Sequence, residues 1–155
     1  STKTGVRIAS GNENKWSNVV RPDVFAKKLT QVNQENGNKV VRVIKLYKAI
    51  NDQMSEDVKL SGYHIESLAI NAFKNYQGQQ NYKDMLMHFN NYASQNVIHP
   101  IKDNTGQSIH VDDYLGPSGS YERLKASASI KRVLARMKLA DSEASVERWK
   151  ELMGE

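Results

Sequence analysis

Along most of the chain apolar residues recur at steps of three and four, the spacing of one face of an α-helix. Pro22 suits a first helical turn, and Phe25, Leu29 and Val32 follow it until Asn36-Gly37 supplies a stop. Asn38 is placed to cap a second helix, whose Val40, Val43, Ile44, Tyr47 and Ile50 make a wide apolar stripe. The polar stretch 51–59 is its expected exit loop. Ser61 is a natural cap for a third helix with Ile65, Leu68, Ala69, Ala72, Phe73 and Tyr76 on one side, ended by Gly78-Gln79-Gln80. Asn81, with Asp84 three residues later, opens a fourth through Met85, Phe89, Tyr92 and Ala93. The pattern returns from Ser120 to Lys138 through Leu124, Ala128, Leu134 and Met137. Asp141-Ser142 then caps a last short helix with Val146, Trp149 and Met153.

Two stretches break the helical rhythm. Residues 6–9 and 16–20 are short β-prone runs around the turn-rich Ser10-Gly11-Asn12-Glu13-Asn14, which predicts a hairpin in need of something to pack on. Residues 97–119 hold two prolines, three glycines and several Asp and Asn, the composition of a long ordered loop, and loops of that length are usually functional. The expected fold is therefore mainly α: a bundle of five or six helices over residues 22–155, preceded by a β-hairpin over residues 1–21.

Composition narrows the function class. With 155 residues, 39% of them hydrophobic and 25% charged, the chain suits one soluble domain, and no apolar run approaches the ~20 residues of a membrane span. The start has no apolar signal core and there is no cysteine, which fits a cytoplasmic protein. A net charge of +5 favours an anionic partner such as nucleotide or nucleic acid, and equally serves solubility. His64, His88, His99 and His110 lack the helical spacing of a zinc pair, and no serine elbow, Walker loop or dinucleotide fingerprint is present. The Asp141-Ser142-Glu143 spacing could suggest paired catalytic carboxylates, but helical periodicity around it makes capping the expected role.

The densest candidate chemistry is Ser61-Gly62-Tyr63-His64. Ser61 and the free amides of Gly62 and Tyr63 can donate to a phosphate at a helix start, Lys45 on the preceding helix adds a point charge, and Tyr63 can stack a base. The plain alternative is an ordinary N-cap with a half-buried tyrosine. Arg42 either extends an anion-binding face with Lys45 or pairs with Glu66. Arg123, Lys125, Lys131, Arg132, Arg136 and Lys138, against Glu122 alone, make a basic helix; Arg132 and Arg136 are candidate anion ligands, and a solvated exterior fits equally well. The segment from Pro100 to Gly106 reads as a turn or as a strap wedged against a nucleotide cleft.

In this order the segments resemble the C-terminal part of bacterial cGAS/DncV-like nucleotidyltransferases, a group related to oligoadenylate synthetases within the polymerase-β-like superfamily. The resemblance covers nearly the whole chain: Trp16 with Pro22 before a helix, Val41-Arg42-Val43-Ile44-Lys45, Ser61-Gly62-Tyr63-His64-Ile65-Glu66 and the Pro100 to Gly106 loop. Gly62 stands where many relatives have a second serine, and Asn104 where a proline is usual. The resemblance implies that Lys45 and the serine segment contact the phosphates of a nucleoside triphosphate and that Tyr63 stacks on its base. It further implies a parent enzyme that joins nucleoside triphosphates into cyclic or linear oligonucleotide signals in antiviral defence, with magnesium or manganese held by a catalytic domain preceding Ser1. The chain alone is then expected to be inactive. The other classes left open are a stand-alone helical module that binds RNA or regulates a partner protein, and part of another polymerase-β-like enzyme.

Overall fold

The computed structural model describes residues 22–101 and 111–155, together with the backbone of two two-residue strands, β1 Val6–Arg7 and β2 Trp16–Ser17, which pair antiparallel. The remainder of residues 1–21, where the hairpin is expected, and residues 102–110, which include most of the Pro100 to Gly106 segment and His110, lie outside the described residues.

The protein is mainly helical. Six helices are described: α1 Pro22–Glu35, α2 Val40–Asn51, α3 Gly62–Phe73, α4 Tyr82–Asn96, α5 Tyr121–Ser142 and α6 Val146–Leu152, with short 3-10 turns at Glu56–Val58 and Asp113–Leu115. α4 occupies the middle, packing on α2, α3 and α5; α1 lies on α3 and α2, and α6 lies on α5. The apolar stripes read from the first four helices all point inward. Phe25, Val32, Val43, Ile44, Tyr47, Ile50, Ile65, Leu68, Phe73, Met85, Phe89 and Ala93 are buried in one core, where Tyr47 meets Phe89 edge to face at 4.7 Å. No described helix is long and apolar enough to cross a membrane.

The caps expected at Ser61 and Asn81 are present, and Ser120 caps α5 in the same way. Ser61, Asn81 and Ser120 each accept a hydrogen bond from the backbone N–H three residues on, satisfying a donor that the first helical turn leaves open. Two expected caps are replaced by others. Asn38 has φ 61° and cannot cap α2; the Asn33 side chain instead reaches from α1 and accepts from the Val41 N–H at 3.0 Å. Gly37 and Asn38 turn the chain through the left-handed region, which Gly and Asn tolerate best. The cap of α6 is Ser145, which accepts from the Arg148 N–H, whereas Asp141 lies within α5 and pairs with Lys83 of α4 at 2.7 Å.

One boundary and one inward face also differ from the expectation. α3 ends at Phe73 rather than at Gly78, because Asn75 at φ 61° turns the chain and the buried Asn36 amide takes the Phe73 carbonyl at 3.1 Å. In α5 the inward face is Arg123, Ala126, Ser127, Ile130, Val133, Leu134, Met137 and Ala140; Leu124 and Ala128, expected inside, are exposed.

Candidate functional site

The start of α3 gathers the candidate residues. Lys59 and Ser61 lead into it in extended backbone, and the Asn51 side chain pins Leu60 between them by bonding both its N–H and its carbonyl at 2.9 Å. Ser61 Oγ is committed to the His64 N–H at 3.2 Å, and the Ser61 N–H donates to the Tyr114 hydroxyl at 2.9 Å. Gly62 is exposed. Its N–H and that of Tyr63 belong to the first turn of α3, where no carbonyl of the helix itself reaches them.

The cation brought closest to this turn is Lys48. A Cβ placed on Gly62 would lie 3.7 Å from its Nζ, so the ammonium stands in van der Waals reach of this turn. Lys48 also donates to Glu66 at 2.9 Å. An ammonium has three N–H donors, so this pair leaves capacity for an anion. Glu66 is thus the partner of Lys48 and not of Arg42, and Arg42 and Lys45 are exposed on α2 with no ion pair among the described residues. Tyr63 is half-buried, its ring edge to face with Phe25 at 5.8 Å. Arg132 and Arg136 are exposed on α5 and likewise carry no ion pair among the described residues.

Behind the turn sits a buried polar cluster that periodicity alone did not reveal. His64, Asp112 and Arg123 are all at most 1% exposed. Arg123 Nε donates to the Gly116 carbonyl at 2.8 Å, and Nη1 reaches Asp112 Oδ2 and the Val97 carbonyl at 3.0 Å and the His99 carbonyl at 3.2 Å. Nη2 donates to the Asp112 carbonyl at 3.1 Å. Asp112 Oδ2 also accepts from the Ile101 N–H at 2.9 Å. One guanidinium therefore ties both described ends of the 97–119 loop to the first turn of α5. Gly116, at φ 87°, presents its carbonyl to Arg123 in a conformation that strains other residues.

His64 joins this cluster to α3. Its Nδ1 lies 2.7 Å from the Tyr114 hydroxyl and its Nε2 lies 3.7 Å from Asp112 Oδ2, a contact too long for a hydrogen bond. A lone pair on Nε2 would be repelled by the carboxylate, so the proton is assigned to Nε2, and Nδ1 accepts the Tyr114 O–H. Burial pushes the imidazole down to about 4, with Arg123 pushing the same way and Asp112 opposing, so His64 is neutral at pH 7. Burial likewise raises the Tyr114 hydroxyl to about 12, against the lowering effect of its bond from Ser61. The cluster is a brace: it fixes where α3 starts and adds no net charge there.

A cleft of about 540 Å³ opens beside the brace, lined by Leu68 and Asn71 of α3, Tyr92 and Asn96 of α4, and His99, Pro100 and Ile101. It holds polar and apolar groups in similar measure, and of the Pro100 to Gly106 segment the described residues Pro100 and Ile101 line it. Among the described residues no three His, Asp or Glu side chains are grouped to hold a metal ion.

Sequence reasoning missed Lys48, Asp112, Tyr114 and the burial of Arg123. For Arg123 a signal existed: counting in steps of three and four back from Met137 through Leu134, Ile130 and Ala126 lands on it. Compared with known proteins, the chain matches no family model, no curated protein and no solved structure.

Proposed function

We propose that this chain is the nucleotide-recognition helical domain of a nucleotidyltransferase that joins nucleoside triphosphates into cyclic or linear oligonucleotide second messengers in antiviral defence. The observation that carries the reading is the start of α3, where the Gly62 and Tyr63 amides have no carbonyl partner within the helix, Gly62 is exposed, the turn is braced by Tyr114 and the Lys48 ammonium lies beside Gly62. A helix start with an adjacent cation attracts phosphate through N–H donors, the helix dipole and direct charge together. The four segments that resemble cGAS/DncV-like enzymes run in the same order and include this turn, which adds support from sequence.

On this reading Lys48 is the nearer phosphate contact and Lys45, one turn back on α2, a more distant one. Tyr63 offers a base the part of its ring that Phe25 leaves uncovered. Transfer of a nucleotidyl group requires magnesium or manganese held by clustered carboxylates. The described residues do not fit that role, so the metal belongs to a catalytic domain of the parent enzyme and no chemical step is assigned to this chain. Incubated alone with divalent metal and ribonucleoside triphosphates, it forms no oligonucleotide.

The test is a calorimetric titration with ATP at low and high salt. Lys48→Ala should weaken binding several-fold at low salt and less at high salt, because ions screen the charge. Tyr63→Ala should weaken it with little salt dependence, since stacking is not mainly a charge interaction. If both variants fold and bind ATP as well as the parent chain does, the turn is an ordinary N-cap and the nucleotide reading fails.

A further inference from the structure

The outward face of α5 combines two features that are independent of the α3 turn. Tyr121, Leu124 and Leu139 are 70%, 49% and 42% exposed, and Ala128 and Ala135 between them are exposed too. At about 3.6 residues per turn these five positions form one strip, about 27 Å long at about 1.5 Å per residue. Lys131 and Lys138 flank it on one side, and Arg132 and Arg136 on the other. All four cations are exposed without an ion pair among the described residues. The carboxylates near the strip's ends are already engaged, Asp57 by Lys125 and Asp141 by Lys83, and Glu122 lies on the Arg136 side but farther round the helix from the strip.

What covers such a face must match both the apolar strip and its charged margins. A second copy of the chain would set cations against cations. A nucleic-acid backbone would satisfy the four cations but would place Leu124 and Leu139 against phosphate. An apolar seam bordered on both sides by Asp or Glu matches every position, and the two alanines let another backbone approach closely. We propose that this face of α5 docks an amphipathic helix of a partner protein, apolar along its seam and acidic on both flanks. Apolar contact at the centre with charge pairs at the rim is how helices select one another, and the charges set which partner is accepted.

The probe is a synthetic helical peptide of about 20 residues, long enough to span the strip, with a leucine seam flanked by glutamates, followed by fluorescence anisotropy. The chain should bind it saturably. The charge-reversed variant Lys131→Glu, Arg132→Glu, Arg136→Glu and Lys138→Glu should lose at least about tenfold in affinity, a change of about 1.4 kcal/mol, and should bind a lysine-flanked version of the peptide better than the parent chain does. Leu124→Ser with Leu139→Ser should weaken binding with the salt dependence unchanged. All these substitutions are on the surface, and circular dichroism checks that each variant is folded. Equal binding of a peptide with the same composition but a scrambled seam would overturn the proposal, as would the absence of any binding. Tighter binding of duplex RNA or of phosphatidylserine vesicles through the same four cations would give the face to nucleic acid or lipid instead.

Discussion

Arg123 and Arg132 sit on the same helix and do opposite things. Arg123 is 0% exposed and its guanidinium donates to four backbone carbonyls of the 97–119 loop and to one carboxylate oxygen of Asp112, whereas Arg132 stands in solvent without an ion pair among the described residues. A buried guanidinium is tolerable only when its donors are used and its charge is met, and Asp112 with the loop carbonyls supplies both. The exposed arginine has lost little solvation and is free to meet a partner. Residue type therefore says little about role on this helix; what decides it is whether the position falls on the stripe that faces α4.

The two arginines should respond very differently to the same substitution. Arg123→Met leaves Asp112 buried and unpaired, and should destabilise the fold by about 3 to 5 kcal/mol in urea unfolding. Arg132→Met should change stability by no more than about 0.5 kcal/mol. Similar losses at the two positions would contradict the account of the brace.

The next effect is a pH dependence from His64. Its folded value of about 4 lies below the value of about 6.5 for a free imidazole, so the unfolded chain takes up this proton first as the solution is acidified. The contribution is fully present above about pH 6.5 and is lost as pH falls toward 4, on the order of 3 kcal/mol. The stability profile of His64→Gln should be flatter across that window; parallel profiles would mean that the imidazole is not held neutral. Smaller still is Tyr114→Phe, which removes one hydroxyl from Ser61 and His64 and should cost about 1 kcal/mol in the same unfolding measurement.

The same contrast explains what could be read in advance. Helices whose stripes are purely apolar, such as Ile65, Leu68, Ala69, Ala72 and Phe73 in α3, show their buried face in the spacing alone, and caps such as Ser61 and Asn81 act within three residues of themselves. In α5 the stripe begins with an arginine and includes Ser127, so polarity conceals its register and the apolar spacing points to Leu124 instead. Asn33 capping the helix that follows its own, Asn36 stopping α3 and Lys48 taking Glu66 all join residues far apart in the chain or across a turn, and local pattern carries no trace of such partners. At the candidate site the donor turn was legible because a cap, a glycine and an aromatic adjoin in sequence. The brace behind it was not, because Asp112, Tyr114 and Arg123 meet His64 only through folding.

If the first turn of α3 receives phosphate on the amides that the brace leaves open, amide-resolved NMR during an ATP titration reports it residue by residue. The Gly62 and Tyr63 N–H signals should shift and saturate together, while Ser61, whose N–H is held by the Tyr114 hydroxyl, moves far less. No saturable shift at Gly62 and Tyr63, or shifts confined to α5, would contradict it.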